Sequence, residues 1–339
     1  MQTQSIVFTQ ANHAELIEED VRSVGPKDAL VQLMYSTISS GTERANLTGE
    51  LNISIYERFT EAIFPRRGGY SASGIVLQVG AEVTSVKPGD RVVVSEGCHS
   101  QFVCVGEDHL HRLERSTMDM RDAALAFIGT FPMAAIRKCH VEIGEPAMVM
   151  GLGVLGRIAV QLLRAAGAVP VIAVDPVASR RELALQFGAD AALDPNADDF
   201  AQRVRQMTHG GVSVAIEVTG VGRALDQALD CMRRFGRIAL LGCTRHSDFT
   251  IDYYHKVHAP GISLIGAHTQ ARPRTESSPG LWTHHDDIMA LLELCDSGRI
   301  DLKAMVEEIH SPTEAPEVYR RLAEEPCFPI VQFDWSRLT

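Results

Sequence analysis

No Cys-x-x-Cys pair occurs in the 339 residues, and the seven cysteines, an odd number, are scattered at positions 98, 104, 139, 231, 243, 295 and 327. That pattern argues against a disulfide framework and for a reducing, cytoplasmic setting. Long apolar runs are missing too. The nearest to one, residues 123–136, is broken by Gly129 and Pro132 and falls short of the ~20 residues a membrane span needs. Residues 1–10 hold no basic segment ahead of an apolar core, so no secretory leader is expected. Basic charge is in deficit: 32 Lys and Arg face 43 Asp and Glu, a formal net charge of −11. A surface for nucleic acid or acidic lipid is therefore not expected. Low-complexity runs and solenoid repeats are absent.

What is present is a chain that is 45% hydrophobic, enough for packed cores, and long enough for two domains at ~100–200 residues each. Its texture changes along its length. Up to about residue 120, short β-rich runs at 29–34, 74–79, 91–94 and 101–105 alternate with turn signals. Lys87-Pro88-Gly89-Asp90 is such a turn, since Pro presets φ and Gly accepts the left-handed conformation. This region reads as a small, partly open barrel.

From Glu145 onward, strands and helices alternate. Residues 147–150 read as a buried strand. Residues 154–166 read as a helix with Ile158, Ala159, Leu162, Leu163 and Ala166 on one face. Further strands are expected at 169–174, 213–218, 237–241 and 262–265, with helices at 199–208 and 222–234, and one capped by Ser179 that stops at Gly188. Helical crossovers demand a parallel sheet covered on both faces. The tail, with helices at 287–297 and 315–324 and strands near 306–310 and 330–334, is expected to rejoin the first domain.

The first crossover contains Gly151-Leu152-Gly153-Val154-Leu155-Gly156, a G-x-G-x-x-G between strand and helix. In that context the first Gly makes the tight turn, the second lets backbone approach a pyrophosphate, and the third lets helix pack on strand. The helix N-terminus adds N–H groups and partial positive charge for the phosphates. Asp175 stands 24 residues after Gly151, at the end of the second strand. A carboxylate there accepts ribose hydroxyls and repels a 2′-phosphate, favouring NAD over NADP, although Arg180 and Arg181 are the residue type that accommodates such a phosphate.

Gly41-Thr42-Glu43, Gly74-Ile75-Val76 with Val79-Gly80, Pro88-Gly89-Asp90-Arg91-Val92, the Gly151–Gly156 loop, Asp175 and Glu217-Val218-Thr219-Gly220 together resemble the medium-chain dehydrogenase/reductase superfamily over nearly the whole chain. Ser36-Thr37-Ile38-Ser39-Ser40-Gly41-Thr42-Glu43-Arg44 is similar to its bacteriochlorophyllide and polyol dehydrogenase branch. The resemblance implies an α/β protein. A GroES-like, partly open β-barrel catalytic domain would cover 1–122 and 270–339, and a Rossmann doubly wound parallel-sheet domain 123–269. It also implies that Leu155 backs the nicotinamide ring, that Thr130 lies beside it, and that Cys243 and Ala267 frame its carboxamide. Gly151, Gly153, Val154, Gly156, Asp175, Arg180 and Thr219 complete the implied cofactor set.

The departures from the family carry as much weight. Zinc-bearing members hold their metal with a Cys, a His from a His-Glu pair, and a later Cys or Asp. This sequence reads Ser40, Tyr70-Ser71 and Ala126 at those places, and the four-cysteine structural lobe is missing. None is an ordinary zinc ligand. His284-His285 reads as a surface loop pair. No zinc is expected.

Without a metal, side chains or water must receive the alcohol proton and stabilise the developing alkoxide. Thr42 takes the place of the hydroxyl that touches the substrate oxygen, or serves as a turn hydroxyl. Tyr70 puts a phenol in the vacated metal space, as an acid/base group if a cation depresses its pKa, otherwise as a space-filling ring. Glu43, Glu96 and His99 complete the catalytic candidates. Glu43 stands where the family has an Asp that supports the site from behind, or pairs with Arg44 or Arg67, and His99 is a proton shuttle or a packing residue. His255 and Lys256 could reach the nicotinamide end or lie in a solvated loop.

The leading reading is a zinc-independent, NAD-dependent dehydrogenase oxidising a secondary hydroxyl of a sugar, cyclitol or polyol. Alternatives are a quinone or enoyl reductase using NAD(P)H, a lyase or epimerase with transient NAD redox, and a non-catalytic NAD(H)-binding protein. A small-molecule substrate is expected, with neither nucleic acid nor membrane as partner. Strand 261–266, last in its sheet, offers an apolar edge for a homodimer or homotetramer.

Overall fold

The computed structural model describes residues 1–51, 59–113, 117–245 and 249–338, and the chain divides into two units. The first comprises 1–128, 291–296 and 302–339; the second comprises 129–290 and 297–301.

The first unit opens with a hairpin, β1 (Gln2–Gln10) and β2 (His13–Asp20), turned at Asn12 with φ of 59°. Asn tolerates the left-handed region because its short amide bonds locally. The sequence reading starts its strands only at residue 29, because half-exposed, charge-rich β2 carries no clean apolar alternation. β3 (Asp28–Thr37) is followed by the helix α1 (Ser40–Leu47), the short β4 (Arg66–Arg67), β5 (Ser71–Val79), β6 (Arg91–Ser95), β7 (Phe102–Gly106) and β8 (Leu110–Arg112). The Lys87–Asp90 turn forms as expected: Gly89 has φ of +90°, and Lys87 N–H bonds the Asp90 carboxylate at 3.0 Å. The short helix α2 (Met120–Ala123) precedes α3 (Ala126–Lys138), whose first residues end this unit's first segment.

The second unit is a six-stranded parallel sheet: β9 (Ala147–Met150), β10 (Val171–Val174), β11 (Ala191–Leu193), β12 (Val212–Glu217), β13 (Met232–Leu240) and β14 (Ser263–Gly266). The spatial order is β11-β10-β9-β12-β13-β14. That is the doubly wound Rossmann order, whose strand sequence reverses between β9 and β12. The helices α4 (Val154–Ala165), α5 (Ala178–Gln186), α6 (Phe200–Met207) and α7 (Gly222–Asp230) make the crossovers. Met148, Met150, Ile172, Val174, Ala215 and Ile238 from the strands pack with Leu225, Leu229 and Val204 from the helices. Ile158, Ala159, Leu162 and Leu163 of α4 are buried as expected, whereas Ala166 is an exposed C-cap.

Five expectations change here. Ser179 does not cap α5; the helix begins at Ala178, and the Asp175 carboxylate takes the Val177 N–H at 2.9 Å. The helix expected over 222–234 stops at Asp230, because β13 already starts at Met232 and bends at Phe235, φ 62°. His284 and His285 are not a loop pair but open α8 (His284–Asp296). Residues 270–290 also stay with the nucleotide unit instead of rejoining the barrel. Buried Asp287 holds Arg137 at 2.8 Å and Arg272 at 3.0 Å, and Arg272 bonds the Thr130 carbonyl at 2.7 Å. Residues 123–128 remain with the first unit, where the hydroxyls of Thr37 and Ser71 donate to the Ala124 carbonyl.

The tail returns to the first unit as expected, through β15 (Glu308–His310), α9 (Ala315–Glu324) and β16 (Val331–Asp334). β16 pairs with β15 on one side and antiparallel with β3 on the other. One core then joins Ile6, Phe8, Val31, Leu33, Val92 and Val94 to Tyr319, Leu322, Phe333 and Trp335. None of the seven cysteines forms a disulfide. Among the described residues no helix is long and apolar enough to cross a membrane.

Candidate active site and dinucleotide cradle

In the first unit, β3 delivers Ser39 to the N-cap of α1, and α1 places Thr42 and Glu43 in its first turn. The chain entering β5 brings Tyr70 alongside. The Tyr70 phenol donates to Ser39 Oγ and is hydrogen-bonded by Thr42, while its ring packs edge-on against Phe127 at 5.9 Å. Three hydroxyls thus form one chain, with Thr42 at its exposed end and Ser39 buried.

The phenol is held in its protonated form. Burial, opposed by the Ser39 and Thr42 hydrogen bonds and reinforced by the nearby Glu43 charge, pushes Tyr70 up to about 12. The cation that would have lowered it is replaced by an anion.

Beneath this chain lies a second layer. Glu43 is 1% exposed and accepts from Ser39 N–H at 2.9 Å, His99 Nε2 at 3.0 Å and the Tyr319 hydroxyl at 2.5 Å. His99, fully buried, meets Ser36 Oγ through Nδ1 at 2.7 Å, and Trp335 Nε1 donates to the same oxygen at 2.8 Å. His99 and Glu43 therefore underlie the hydroxyls as buried, hydrogen-bonded groups, which favours the packing alternative for His99. Glu96 is not part of the cluster. It sits at φ 55° with its side chain in solvent, 3.8 Å from His109. Its backbone N–H alone connects to the site, through the Tyr70 carbonyl at 2.9 Å.

The donor set does not fit zinc. Ser40 and Tyr70 offer neutral hydroxyls and Ala126 a buried methyl, and no group of three His, Cys, Asp or Glu suited to a metal occurs among the described residues.

In the second unit the three loop glycines do three different jobs. Gly151 has φ of +98°, and a Cβ there would meet Thr219 Cγ2 at 2.8 Å. A Cβ on Gly156 would sit 1.9 Å from the Gly151 carbonyl oxygen, so α4 packs on the loop only because it is absent. Gly153, the N-cap of α4, faces open space with nothing within 4 Å of a Cβ, and no side chain caps the helix. A bare helix start with an open glycine face fits a pyrophosphate.

The loops after β9, β12 and β13 converge at the order reversal of the sheet. Gly220 approaches the Cys243 backbone so closely that a Cβ would meet its carbonyl oxygen at 2.6 Å. Thr219 is held by Glu217, which accepts its N–H at 2.7 Å, its hydroxyl, and the Gly220 N–H at 3.0 Å. Burial nonetheless pushes the Glu217 carboxyl up. Exposed Cys243 and buried Ala267 follow β13 and β14, with Ala267 N–H on the Leu240 carbonyl at 3.1 Å. Val154 is buried and Leu155 half-buried in the first turn of α4.

Asp175 ends β10, 3% exposed, and takes the Leu152 N–H of the glycine loop at 2.9 Å. Arg180 stands 3.7 Å from the same carboxylate. Buried Thr130 bonds His284 Nδ1 through its hydroxyl at 3.0 Å. His255 and Lys256 belong to the solvated reading: they pair with Asp252, and with Asp226 and Asp230.

Sequence reasoning missed Ser39, Ser36, Tyr319 and Trp335. Tyr319 lies 276 residues from Glu43, and no local pattern joins them. A signal did exist in Gly68-Gly69: a Cβ on Gly68 would fall 2.8 Å from Glu43 Oε2, and one on Gly69 would fall 2.4 Å from the His99 nitrogen.

The family model for the alcohol dehydrogenase GroES-like domain matches residues 25–136, and that for zinc-binding dehydrogenase matches 154–281. D-guloside 3-dehydrogenase of Escherichia coli strain K12 is 24% identical, over 94% of this chain and 96% of its own. An Escherichia coli oxidoreductase/dehydrogenase of unknown specificity shares the fold at a TM-score of 0.84, with 18% identity over 98% of this chain and 99% of its own. A Sinorhizobium meliloti protein whose structure holds NADP has a TM-score of 0.81 and 21% identity, over 98% of this chain and 99% of its own.

Proposed function

Because the chain belongs to the medium-chain dehydrogenase/reductase superfamily and is an oxidoreductase, we propose that it oxidises a secondary hydroxyl of a sugar, cyclitol or polyol to a ketone, with NAD and without zinc. The observation that carries this reading is the Thr42–Tyr70–Ser39 hydroxyl chain, in which Tyr70 stands where the resemblance puts a zinc-ligating histidine. Bound NAD supplies the hydride acceptor.

The chain's own residues do the rest. Thr42, exposed, orients the substrate hydroxyl and passes its proton to water. Tyr70, protonated throughout the neutral range, is hydrogen-bonded by Thr42 and donates to Ser39, so it holds the Thr42 hydroxyl in one orientation towards the substrate. Gly151, Gly153 and Gly156 shape the cradle, and the α4 N-terminus meets the phosphates.

Asp175 supports NAD over NADP, since a buried carboxylate against the glycine loop repels a 2′-phosphate, although the fold accepts NADP in a neighbour. The sugar preference is supported by the D-guloside dehydrogenase relative. A second copy is proposed to pair along β14, which among the described residues is an edge strand bonded to β13, with Leu264 exposed. Seven cysteines without a disulfide suit a cytoplasmic setting.

The test is a panel of sugars and polyols with NAD, followed by the near-ultraviolet absorbance of reduced nicotinamide. Reduction by at least one secondary alcohol is the expected result. Tight NAD binding without turnover on any of them would defeat the reading.

A further inference from the structure

Glu43 is buried and makes no contact with solvent, yet it takes three donors from three parts of the first unit: Ser39 N–H, His99 Nε2 and the Tyr319 hydroxyl. Behind it, Trp335 Nε1 donates to Ser36 Oγ at 2.8 Å, and Ser36 Oγ is hydrogen-bonded to His99 Nδ1 at 2.7 Å. His99 Nε2–H then points at a carboxylate that can only accept. A buried carboxylate with three donors is held in one geometry, because each lost bond leaves an unpaired polar group in a dry site.

We propose that Glu43 is the positioning residue of the Ser39–Tyr70–Thr42 hydroxyl chain: its carboxylate pins the Ser39 backbone, and so the side chain that receives the Tyr70 phenol. The pin sits at the right place to act. Glu43 holds the Ser39 N–H at 2.9 Å through its side chain and the Ser39 carbonyl at 2.8 Å through its own N–H, closing Ser39 from both sides. Gly68 and Gly69 are the room this arrangement needs, since a Cβ at either would strike Glu43 or His99. His99 and Tyr319 act through Glu43.

The kinetic consequence rests on the dehydrogenase reading above; the structural consequence does not. Amide exchange at Ser39 is read residue by residue in full-length wild type, Glu43→Gln and Gly68→Ala. In parallel, kcat and KM on an alcohol substrate and the affinity for NADH are measured. Ser39 is expected to exchange about tenfold faster in both variants, while Ile38, whose N–H bonds the Val331 carbonyl at 3.0 Å, exchanges as in wild type. The kcat is expected to fall about tenfold with NADH affinity unchanged, and Glu43→Gln should add no further loss to Tyr70→Phe.

A folded Glu43→Gln with wild-type Ser39 exchange and wild-type kcat would overturn the proposal. So would release of Ile38 and Ser39 together in both variants, which is general loosening. A wild type that oxidises no alcohol defeats the dehydrogenase reading and leaves the exchange result to decide the role of Glu43.

Discussion

The dinucleotide cradle and the hydroxyl cluster solve opposite problems. The cradle is made of backbone: its glycine loop works through the absence of side chains, with a would-be Cβ 1.9 Å from a carbonyl at Gly156 and open space at Gly153. The cluster is made of side chains: three hydroxyls stand over a buried carboxylate with its own three donors. A backbone site fails by steric insertion, whereas a side-chain network fails by loss of one donor. Substitutions of a single atom group therefore read the two regions differently.

The largest effect is expected at Gly156→Ala. Backbone stands against backbone there, so dinucleotide binding should vanish and stability fall by about 3 kcal/mol in chemical denaturation. Next comes Tyr70→Phe, which removes one oxygen from the cluster. Its kcat is expected to drop about 100-fold, with NADH affinity and melting temperature held; equal loss of NADH affinity would break the distinction between the regions.

Gly153→Ala should fold as wild type, because nothing lies within 4 Å of the added methyl. Its NADH affinity is expected to fall about tenfold, read by nicotinamide fluorescence. Asp175→Ala should weaken NAD about tenfold while leaving NADP nearly unchanged; an equal effect on both would remove the basis for cofactor choice.

The smallest effect belongs to the outer face of α9, the helix that carries Tyr319 inward. Arg321, bonding the Glu308 carboxylate at 2.8 Å, holds it down at about 2 from an ordinary 4.5. The pair contributes fully above the ordinary carboxylate range, and its contribution is lost as pH falls through about 2. Arg321→Ala should cost about 1 kcal/mol or less at neutral pH, fading in acid, without moving kcat.

The same contrast explains what could be read from the chain beforehand. Gly151, Gly153, Gly156 and Asp175 were legible because their constraints are local: tight turn, open face, close packing and strand end lie within 25 residues. A parallel sheet covered on both faces followed from strand–helix alternation, and the resemblance implied its doubly wound order. The hydroxyl cluster was half legible. Thr42 and Tyr70 stood out by position, but the environment of Tyr70 depends on Ser39, Glu43 and burial, which no spacing encodes. Tyr319 and Trp335 come from a tail nearly 300 residues away, brought in by β16 pairing with β3. Residues 270–290 were assigned to the wrong unit because the anchor, Asp287 between Arg137 and Arg272, is a long-range ion cluster. The β1–β2 hairpin escaped notice because charge-rich β2 lacks apolar alternation.

The most direct measurement is alcohol-dependent NAD reduction by protein whose metal content has been determined, before and after treatment with a strong chelator. Turnover that is undiminished in protein free of stoichiometric zinc is the predicted result. A zinc ion bound one per chain, whose removal abolishes turnover and whose return restores it, would contradict the account.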